Sequence, residues 1–280
     1  MNENFQCGRY RFPLGNDDCK PLVMGILNIT PDSFSDGGNF FDLDSALSRA
    51  EQMIEDGVDI IDIGGESSRP GSQPLPLDEE LRRVMPLIFA LRDCGKALSI
   101  DTYKPEVMRE AILAGVDMIN DIQGFRSPEA IAAVAESDVG LCVMHMQNMP
   151  VNMQSAPAYT DVLSDVRAFL SFRVQDLLNA GVPRQNICID PGFGFGKTLV
   201  HNVALFKDLP KMGRELDLPV LVGLSRKTMI GELTGRATEK RLAGSLAAAL
   251  SAANMGAKIL RVHDVAETVD ALKVWRAMLV

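Results

Sequence analysis

Polar and charged side chains end a series of short apolar runs in this sequence, at positions that packing alone does not explain. The set comprises Asn28, Asp62, Asp101, Asn120, Asp121, His145, Asp190, Ser225, Arg226, Lys227, Arg261 and His263. Such groups are costly to bury without partners. Some of them could cap a following helix, and this alternative stays open for Asp101 and Asp121. The set as a whole, gathered at one face, indicates a functional site.

Two acids and an amide within this set suit a flat heterocyclic ligand. A carboxylate such as Asp101 or Asp190 accepts two N–H bonds, and the amide of Asn120 both donates and accepts. Together they match a ring with an amino-amide edge, such as a pterin or a guanine. A metal site built from the same acids is the alternative, although they are dispersed along the chain.

Cations form a second group near the end of the chain. The segment Ser225-Arg226-Lys227 follows one apolar run, and Arg261 and His263 follow the next. In α/β barrels the loops after strands seven and eight often hold phosphate, so we expect an anion site there. Lone cations at helix starts are commonly solvated, but three of them with a histidine at adjacent strand ends favour the anion site.

Two segments have the composition of mobile lids over an active site. Residues 30–38 and 64–71 are rich in Gly, Ser and Asp, and each contains one proline. Two surface turns would have a similar composition. Surface turns do not explain why Phe34 and Arg69 lie within these segments.

Eight short strands alternating with helices would position these groups. We predict strands at residues 22–29, 59–64, 98–102, 118–122, 141–146, 187–190, 220–225 and 259–262. The clearest helical patterns cover residues 78–94, 161–180, 240–255 and 265–279, and Leu43, Leu47, Ala50 and Ile54 mark one face of an earlier helix. A doubly wound sheet is possible, but polar residues after every strand favour an α/β (β/α)8 TIM barrel. Residues 1–20 are predicted to form a short N-terminal hairpin under the barrel floor, within a single domain of residues 1–280.

Composition excludes several classes of partner. The net charge of −9 argues against nucleic acid as the main partner, because phosphate neutralisation needs a basic face. No apolar run is long enough to span a membrane, and residues 1–5 do not resemble a secretory signal. The five cysteines form no Cys-x-x-Cys pair, which favours reduced thiols in the cytoplasm. The three histidines have no zinc-site spacing.

Taken together, these motifs resemble the dihydropteroate synthase family from Val23 to the last helix. The matching segments are residues 24–38, 62–71, 101–105, 120–122, 144–146, 190–197, 225–227 and 261–264. The resemblance implies the condensation of 6-hydroxymethyl-7,8-dihydropterin pyrophosphate with p-aminobenzoate, with release of pyrophosphate. A Mg²⁺-assisted, SN1-like substitution is expected, because the arylamine is already neutral and the departure of pyrophosphate is the difficult step.

The resemblance also implies roles for individual residues. The pterin ring would be held by Asp101, Asn120, Ile122, Met144, Asp190, Phe193 and Lys227. Pyrophosphate would be held by Asn28, Arg69, Arg261 and His263, with Asn28 also on Mg²⁺. The p-aminobenzoate pocket would contain Phe34, Ser68, Arg69, Pro70, Phe195, Ser225 and Lys227. The residues expected to act in catalysis are Asp101, Asp190, Lys227, Arg261 and His263.

Three further expectations accompany the resemblance. Ser68 stands where the family usually has threonine, and because the hydroxyl is kept we expect a slightly looser pocket with activity retained. Sulfonamides, which imitate p-aminobenzoate, are expected to inhibit. A homodimer is expected through residues 246–250 and Val274, Trp275 and Met278. The alternatives are a pterin-binding methyltransferase barrel and a catalytically silent pterin-binding subunit.

Overall fold

A parallel sheet that closes on itself forms the centre of the molecule. The computed structural model describes residues 4–15, 20–29, 43–69, 71–155 and 157–278. Its eight-stranded sheet has the order β8 (Ile187–Asp190), β7 (Gly140–Met144), β6 (Met118–Asp121), β5 (Ala97–Asp101), β4 (Ile60–Gly64), β3 (Leu22–Asn28), β10 (Ile259–Val262) and β9 (Leu221–Val222). All neighbouring strands are parallel. A parallel bridge between Ile189 and Val220 joins the two outer strands of that order. The sheet is therefore a barrel, and the TIM-barrel prediction is confirmed.

The strand bounds lie close to those that the sequence predicts. The barrel strands are β3 (Leu22–Asn28), β4 (Ile60–Gly64), β5 (Ala97–Asp101), β6 (Met118–Asp121), β7 (Gly140–Met144), β8 (Ile187–Asp190), β9 (Leu221–Val222) and β10 (Ile259–Val262). Before them, β1 (Asn4–Cys7) and β2 (Tyr10–Pro13) form an antiparallel hairpin. The largest difference is β9, which is much shorter than the predicted strand over residues 220–225.

Helices cover the outside of the barrel. They are α1 (Leu43–Glu55), α2 (Leu77–Leu91), α3 (Pro105–Ala114), α4 (Pro128–Val134), α5 (Val162–Asn179), α6 (Leu199–Leu216), α7 (Thr228–Thr234), α8 (Leu242–Asn254) and α9 (Val265–Met278). In α1, Ala46, Ala50 and Met53 are buried. The predicted residues Leu43, Leu47 and Ile54 are partly buried beside them, so the helical face is somewhat rotated from the one predicted.

Alternation along each strand separates two apolar layers. Successive side chains of a strand point to opposite faces of the sheet. One face packs against the helices, as Ile61, Ile63 and Leu98 do. The other face points into the barrel and begins with Met24, Ile60, Ala97, Met118, Cys142, Cys188, Leu221 and Ile259, one residue from each barrel strand.

The hairpin closes the bottom of the barrel, as predicted. Phe5 and Cys7 of β1 are fully buried and belong to the same apolar cluster as the inward residues at the strand starts. The buried carboxylate of Asp117 fixes the hairpin, because it accepts hydrogen bonds from the Arg9 backbone N–H at 3.1 Å and from the Arg9 side chain at 2.9 Å. The floor of the barrel is thus apolar, and the polar residues at the strand ends lie at the opposite end of the barrel.

In the part of the chain that the structure describes, no helix is both long and apolar enough to cross a bilayer.

Candidate active site

The carboxyl ends of five strands bring five side chains of the initial polar set into one mouth. Asp62, Asp101, Asn120, Asp190 and Arg261 each lie two or four residues beyond an inward-facing residue of the floor layer, so they share its face. All except Arg261 are buried. The barrel therefore assembles the acids, the amide and one cation from positions that are up to 199 residues apart in the chain.

Arg261 is bound by two of these acids. Its Nε donates to Oδ2 of Asp62 at 2.6 Å, and its Nη2 donates to Oδ2 of Asp101 at 2.8 Å. Asn120 Nδ2 donates to the same oxygen of Asp62 at 3.2 Å. The cation predicted for the pyrophosphate thus lies among the groups predicted for the pterin, so the two predicted sectors are continuous.

A second cluster surrounds Asp190 at the end of β8. The backbone N–H of Gly192 donates to Asp190 Oδ1 at 2.6 Å. The Lys227 ammonium donates to the carbonyl of Phe193 and lies 4.3 Å from the ring centroid of Phe195. Lys227 therefore sits between the predicted pterin residues and the predicted p-aminobenzoate residues.

Burial shifts the pKa of one ionisable group in each of the two clusters. Desolvation raises the pKa of Asp101 to about 7, although the nearby Arg261 guanidinium opposes the change. Desolvation lowers the pKa of Lys227 to about 8, and the negative charge of Asp190 limits the fall. Both groups consequently change charge near neutral pH, which is common for groups that serve in catalysis and binding.

His263 and Ser225 form a pair beside Arg261. His263 Nδ1 lies 3.1 Å from the Ser225 hydroxyl oxygen, which also accepts a hydrogen bond from the His263 backbone N–H at 3.2 Å. Burial, reinforced by the positive charges of Arg261 and Arg226, lowers the pKa of His263 to about 4. His263 is therefore a neutral hydrogen-bonding group at pH 7 and adds no positive charge to the mouth.

Arg226 lies near His263, where its charge helps to lower the pKa of that ring, but it has a carboxylate partner of its own. Its guanidinium is paired with Asp264, with Nε 3.0 Å from Oδ2. The backbone at Arg226 is left-handed, with φ of 58°, and its N–H donates to the Ser245 hydroxyl at 2.9 Å. This turn directs Arg226 toward Asp264, whereas Lys227 lies close to Asp190.

Two members of the initial polar set lie outside the mouth, because each follows an inward-facing residue. Asp121 accepts hydrogen bonds from the backbone N–H groups of Gln123 and Phe125, both at 2.7 Å. Asp121 therefore orders the loop after β6 and does not cap α4, whose cap is Ser127, whereas Asp101 accepts from Arg261 in the mouth. His145 packs edge-on against Phe169, with ring centroids 5.0 Å apart.

The apolar residues predicted for the pterin divide into two groups. Ile122 and Met144 are buried in a small cluster that also contains Met146 and Met153, with Phe195 packed against it. The Phe193 ring is fully buried in the helix layer, 6.2 Å from the ring of Phe206. Phe193 contacts Lys227 through its carbonyl, while its ring packs against the helix layer.

The lid segments are described in part. Ser68 is half-buried and Arg69 is exposed, and the positive charge of Arg69 acts on His263. Phe34 and Pro70, together with the whole segment 30–42, lie outside the described residues. The roles predicted for these side chains therefore remain predictions.

A network of charged groups at the base of the second lid segment has no predicted role. Glu66 accepts from the Tyr103 hydroxyl at 2.9 Å and from the Leu75 backbone N–H at 2.9 Å. The Lys104 ammonium bridges Glu66 and the buried Glu80. These contacts connect the lid to the loop after β5.

Asp62 likewise has no predicted ligand, although its place two residues after Ile60 could have indicated that it faces inward.

Asn28 at the end of β3 is the residue predicted to hold Mg²⁺. A Cβ atom on Gly64 would lie 2.9 Å from Asn28 Oδ1, so the glycine leaves room for this amide. Within the described residues, no three His, Cys, Asp or Glu side chains come together in a group that could hold a metal ion. Magnesium commonly binds through one or two protein oxygens together with substrate phosphates and water, and the residues present fit that mode.

Comparison with known proteins identifies the family. The model of the pterin binding enzyme family matches residues 24–263. A dihydropteroate synthase of Haemophilus influenzae is 49% identical over 260 residues, which cover 92% of this chain and 94% of that protein. One of Escherichia coli strain K12 is 47% identical over 92% of both chains. The chain belongs to the dihydropteroate synthase family.

Solved structures of the family agree with this assignment. Burkholderia cenocepacia dihydropteroate synthase complexed with 7,8-dihydropteroate is 52% identical, with a TM-score of 0.88 over 99% of this chain and 96% of that one. The Xanthomonas albilineans dihydropteroate synthase with 4-aminobenzoic acid is 49% identical, with a TM-score of 0.91 over 100% and 99%. The Yersinia pestis enzyme in a sulfonamide drug complex is 43% identical, with a TM-score of 0.90 over 99% and 98%.

Proposed function

We propose that the chain is a transferase that joins 6-hydroxymethyl-7,8-dihydropterin pyrophosphate to p-aminobenzoate and releases pyrophosphate. The single observation that carries the proposal is the contact of Arg261 with Asp101, which places an anion-binding group against a pterin-binding acid. A pterin methyltransferase has no use for the Arg261–His263 pair. Relatives named dihydropteroate synthase at 47–49% identity support the same reaction.

The acids of the mouth suit the charge that develops on the pterin. When the bond from the methylene carbon to the pyrophosphate oxygen breaks, the pterin ring shares the positive charge that remains. Asp101 and Asp190 are both buried, and preorganised charges in a water-poor site stabilise a developing opposite charge more strongly than water does. The arylamine nitrogen attacks as a neutral group and loses a proton to water or to the released pyrophosphate once the C–N bond has formed, so the chain needs no strong base to start the reaction.

The other end of the mouth receives the leaving group. Arg261 carries a permanent positive charge, and His263 contributes a ring N–H. The Ser225 hydroxyl, which is predicted for the p-aminobenzoate pocket, lies 3.1 Å from the His263 ring nitrogen. Arg69 reaches the same region from the second lid segment. As pyrophosphate departs, these groups offer hydrogen bonds to its oxygens, which stabilises the negative charge where it accumulates.

Asn28 would hold a Mg²⁺ ion on the pyrophosphate. When bound, this ion would neutralise phosphate charge and ease the departure of the leaving group. The support is the amide oxygen of Asn28 beside Gly64, at the same rim as Asp101.

The remaining parts of the proposal concern inhibitors, assembly and compartment. Sulfonamides would occupy the p-aminobenzoate pocket, as the sulfonamide complex of the Yersinia pestis enzyme supports. The chain would form a homodimer through α8 and α9, where Val274 and Met278 are 54% and 79% exposed. The Trp275 indole N–H donates a hydrogen bond to the side-chain oxygen of Asn254 in α8 at 2.9 Å. Trp275 would therefore hold α8 and α9 together within one protomer and so stabilise this face. The protein would act in the cytoplasm with its cysteines reduced.

The deciding experiment is a pyrophosphate-release assay with the purified chain. With Mg²⁺, the pterin pyrophosphate and p-aminobenzoate all present, we expect stoichiometric release of pyrophosphate and formation of dihydropteroate. Omission of p-aminobenzoate should abolish dihydropteroate formation. Pterin binding without any pyrophosphate release would instead identify a silent binding subunit.

A further inference from the structure

The loop between β8 and α6 is held by side chains along its whole length. Each backbone carbonyl from residue 192 to residue 196 accepts a hydrogen bond from a side chain. The donors are Lys197 to Gly192 at 2.8 Å and to Phe195 at 3.1 Å, Lys227 to Phe193, Gln154 to Gly194, and Tyr159 to Gly196 at 2.8 Å. Only Lys197, among these donors, binds two of the five carbonyls. We refer to residues 191–197 as the glycine loop.

Lys197 is a buried ammonium group enclosed by protein acceptors. Its side chain is 3% exposed. Besides the two carbonyls of the glycine loop, Nζ lies 2.9 Å from His145 Nδ1 and 3.3 Å from the His145 carbonyl. Three ammonium protons thus face four acceptors. Burial lowers the pKa of Lys197, and the charge of Asp190 opposes this effect while that of Lys227 adds to it.

His145 is suited to act as the acceptor for this ammonium. Burial, together with the charges of Lys197 and Arg126, lowers the pKa of the His145 ring to about 2. A neutral imidazole has one unprotonated nitrogen, and Nδ1 facing an ammonium is the natural acceptor. The ring is held in place by its edge-on contact with Phe169.

The glycine loop also presses closely against the end of β7. A Cβ atom on Gly192 would lie 1.8 Å from the His145 carbonyl oxygen, and φ at Gly192 is 69°. Only glycine permits such an approach in this backbone conformation. Lys197 therefore links the glycine loop to the end of β7 by hydrogen bonds, at a place where the two backbone segments are in direct contact.

The fastened loop contacts both predicted catalytic groups of the second cluster. The Gly192 N–H donates to Asp190 Oδ1 at 2.6 Å, the Phe193 carbonyl accepts from Lys227, and the Phe195 ring lies under the Lys227 ammonium. We propose that Lys197 is a positioning residue for the transferase reaction, holding the glycine loop in the shape that orients Asp190 and Lys227. This inference rests on the proposed function, because it assigns Lys197 to that reaction.

A purely structural role for Lys197 is the competing explanation, and the two make different predictions. If Lys197 only stabilises the fold, its loss lowers the melting temperature and leaves the kinetics of the folded enzyme unchanged. If it positions Lys227, its loss admits water to the second cluster. Because burial is the main cause that lowers the pKa of Lys227, that pKa should then rise toward its ordinary value.

The test compares Lys197→Met with Lys207→Met, which removes an exposed lysine from α6. At a temperature where both variants are folded by circular dichroism, Lys197→Met should raise KM for p-aminobenzoate by about tenfold, a change of about 1.4 kcal/mol. The alkaline limb of its kcat/KM profile, where Lys227 faces Asp190, Arg261 and Asp101, should move to higher pH. Lys207→Met should change neither quantity.

Two variants of His145 test separately the hydrogen-bond acceptor and the packing of the ring. His145→Asn places an amide oxygen near the position of Nδ1 and should retain most of the activity. His145→Phe keeps the ring packing against Phe169 and removes the acceptor, so it should reproduce the kinetic defect of Lys197→Met. Equal activity of these two variants, or an unmoved alkaline limb in Lys197→Met, would overturn the inference.

Failure of the proposed function gives a different result. In that case the unmodified chain releases no pyrophosphate, and every variant is equally inactive. Calorimetric binding of a pterin would then still report whether Asp190 is correctly oriented in Lys197→Met, because this readout needs no turnover. Unchanged pterin affinity in folded Lys197→Met would count against the positioning role.

Discussion

Nη2 of Arg261 lies 2.8 Å from Oδ2 of Asp101, so two residues predicted to bind opposite ends of one substrate are hydrogen-bonded to each other. A ligand that offers only a pterin ring must compete with the guanidinium for this carboxylate. A ligand that also carries pyrophosphate offers Arg261 a new partner as it takes Asp101. We therefore expect the site to bind the pyrophosphorylated pterin more tightly than the free pterin.

Replacement of Arg261 by alanine should affect both binding and stability. Loss of the pyrophosphate contact should weaken binding of the pterin pyrophosphate by about 2–4 kcal/mol in calorimetry. The sequence alone suggests that the fold would tolerate this change. Because the substitution leaves the fully buried Asp62 without its cation, we expect the free energy of unfolding to fall by about 3–5 kcal/mol. Arg261→Lys should restore part of both, and normal affinity in folded Arg261→Ala would contradict the assignment.

Replacement of Asp190 by asparagine tests the pterin pocket. Asparagine can still accept a hydrogen bond from the Gly192 N–H. Its NH2 group, however, would replace the second carboxylate oxygen, which should accept from the pterin ring N–H groups, so two donors would face each other. Pterin affinity should fall at least about tenfold, or about 1.4 kcal/mol. Asp121→Asn is the matched control, because it removes another buried acid outside the mouth and should lower stability without changing affinity. An unchanged isotherm for Asp190→Asn would place the ring elsewhere.

The pH dependence of kcat/KM should be bell-shaped, since this parameter reports groups of the free enzyme. As the pH falls through about 7, Asp101 gains a proton and loses the charge that stabilises the pterin cation. As the pH rises through about 8, Lys227 loses its proton. Lys227→Arg, which stays protonated, should remove the alkaline limb. Rates that stay level from pH 5 to pH 10 would show that neither group matters.

Binding of p-aminobenzoate should depend on prior binding of the anion. Arg69 lies in the second lid segment and acts on the same region as His263, so pyrophosphate would draw the lid toward the mouth. The competent pocket is then rare until the first ligand stabilises it. Titration of p-aminobenzoate or a sulfonamide should show clearly tighter binding with Mg-pyrophosphate present. Equal affinity in both conditions would show a preformed pocket.

The proposed dimer predicts a specific effect of surface charge. Val274→Asp should shift the mass measured by light scattering from dimer to monomer at micromolar concentration, because it buries a charge in an apolar interface. Leu113→Asp is the control, since Leu113 of α3 is 82% exposed but lies on another helix. A monomeric unmodified chain would reject the dimer.

Much of the fold could be predicted because two signals can be read from short stretches of sequence. These are the recurrence of short apolar runs between helical patterns and the glycine or polar residues that end them. Strands such as β8 and β10 have the predicted bounds, and the hairpin packs under the floor as expected. The direction of individual side chains at strand ends is also encoded locally. Asp121 follows the inward Asn120 and His145 follows the inward Met144, so counting along the strand would have placed both outside the mouth.

Other features depend on contacts that no local pattern contains. The direction of Arg226 follows from a left-handed backbone and from Asp264, which comes 38 residues later. The Phe193 ring lies in the helix layer while its carbonyl accepts from Lys227, which comes 34 residues later. The pairing of Arg261 with Asp62 joins β10 to β4, and these strands lie close together because both pair with β3.

The alternation within the barrel wall restricts how the chain can change in length. In β6, Ile119 faces the helices and Asn120 faces the mouth. Deleting one residue from the first half of this strand would exchange the two faces, placing an apolar side chain over Asp62 and an amide against the helix layer. Deleting two residues would preserve the faces but shift every contact by one layer of the barrel. Natural relatives should therefore vary in length in their loops and keep the spacing from the floor residue to the mouth residue fixed in each strand.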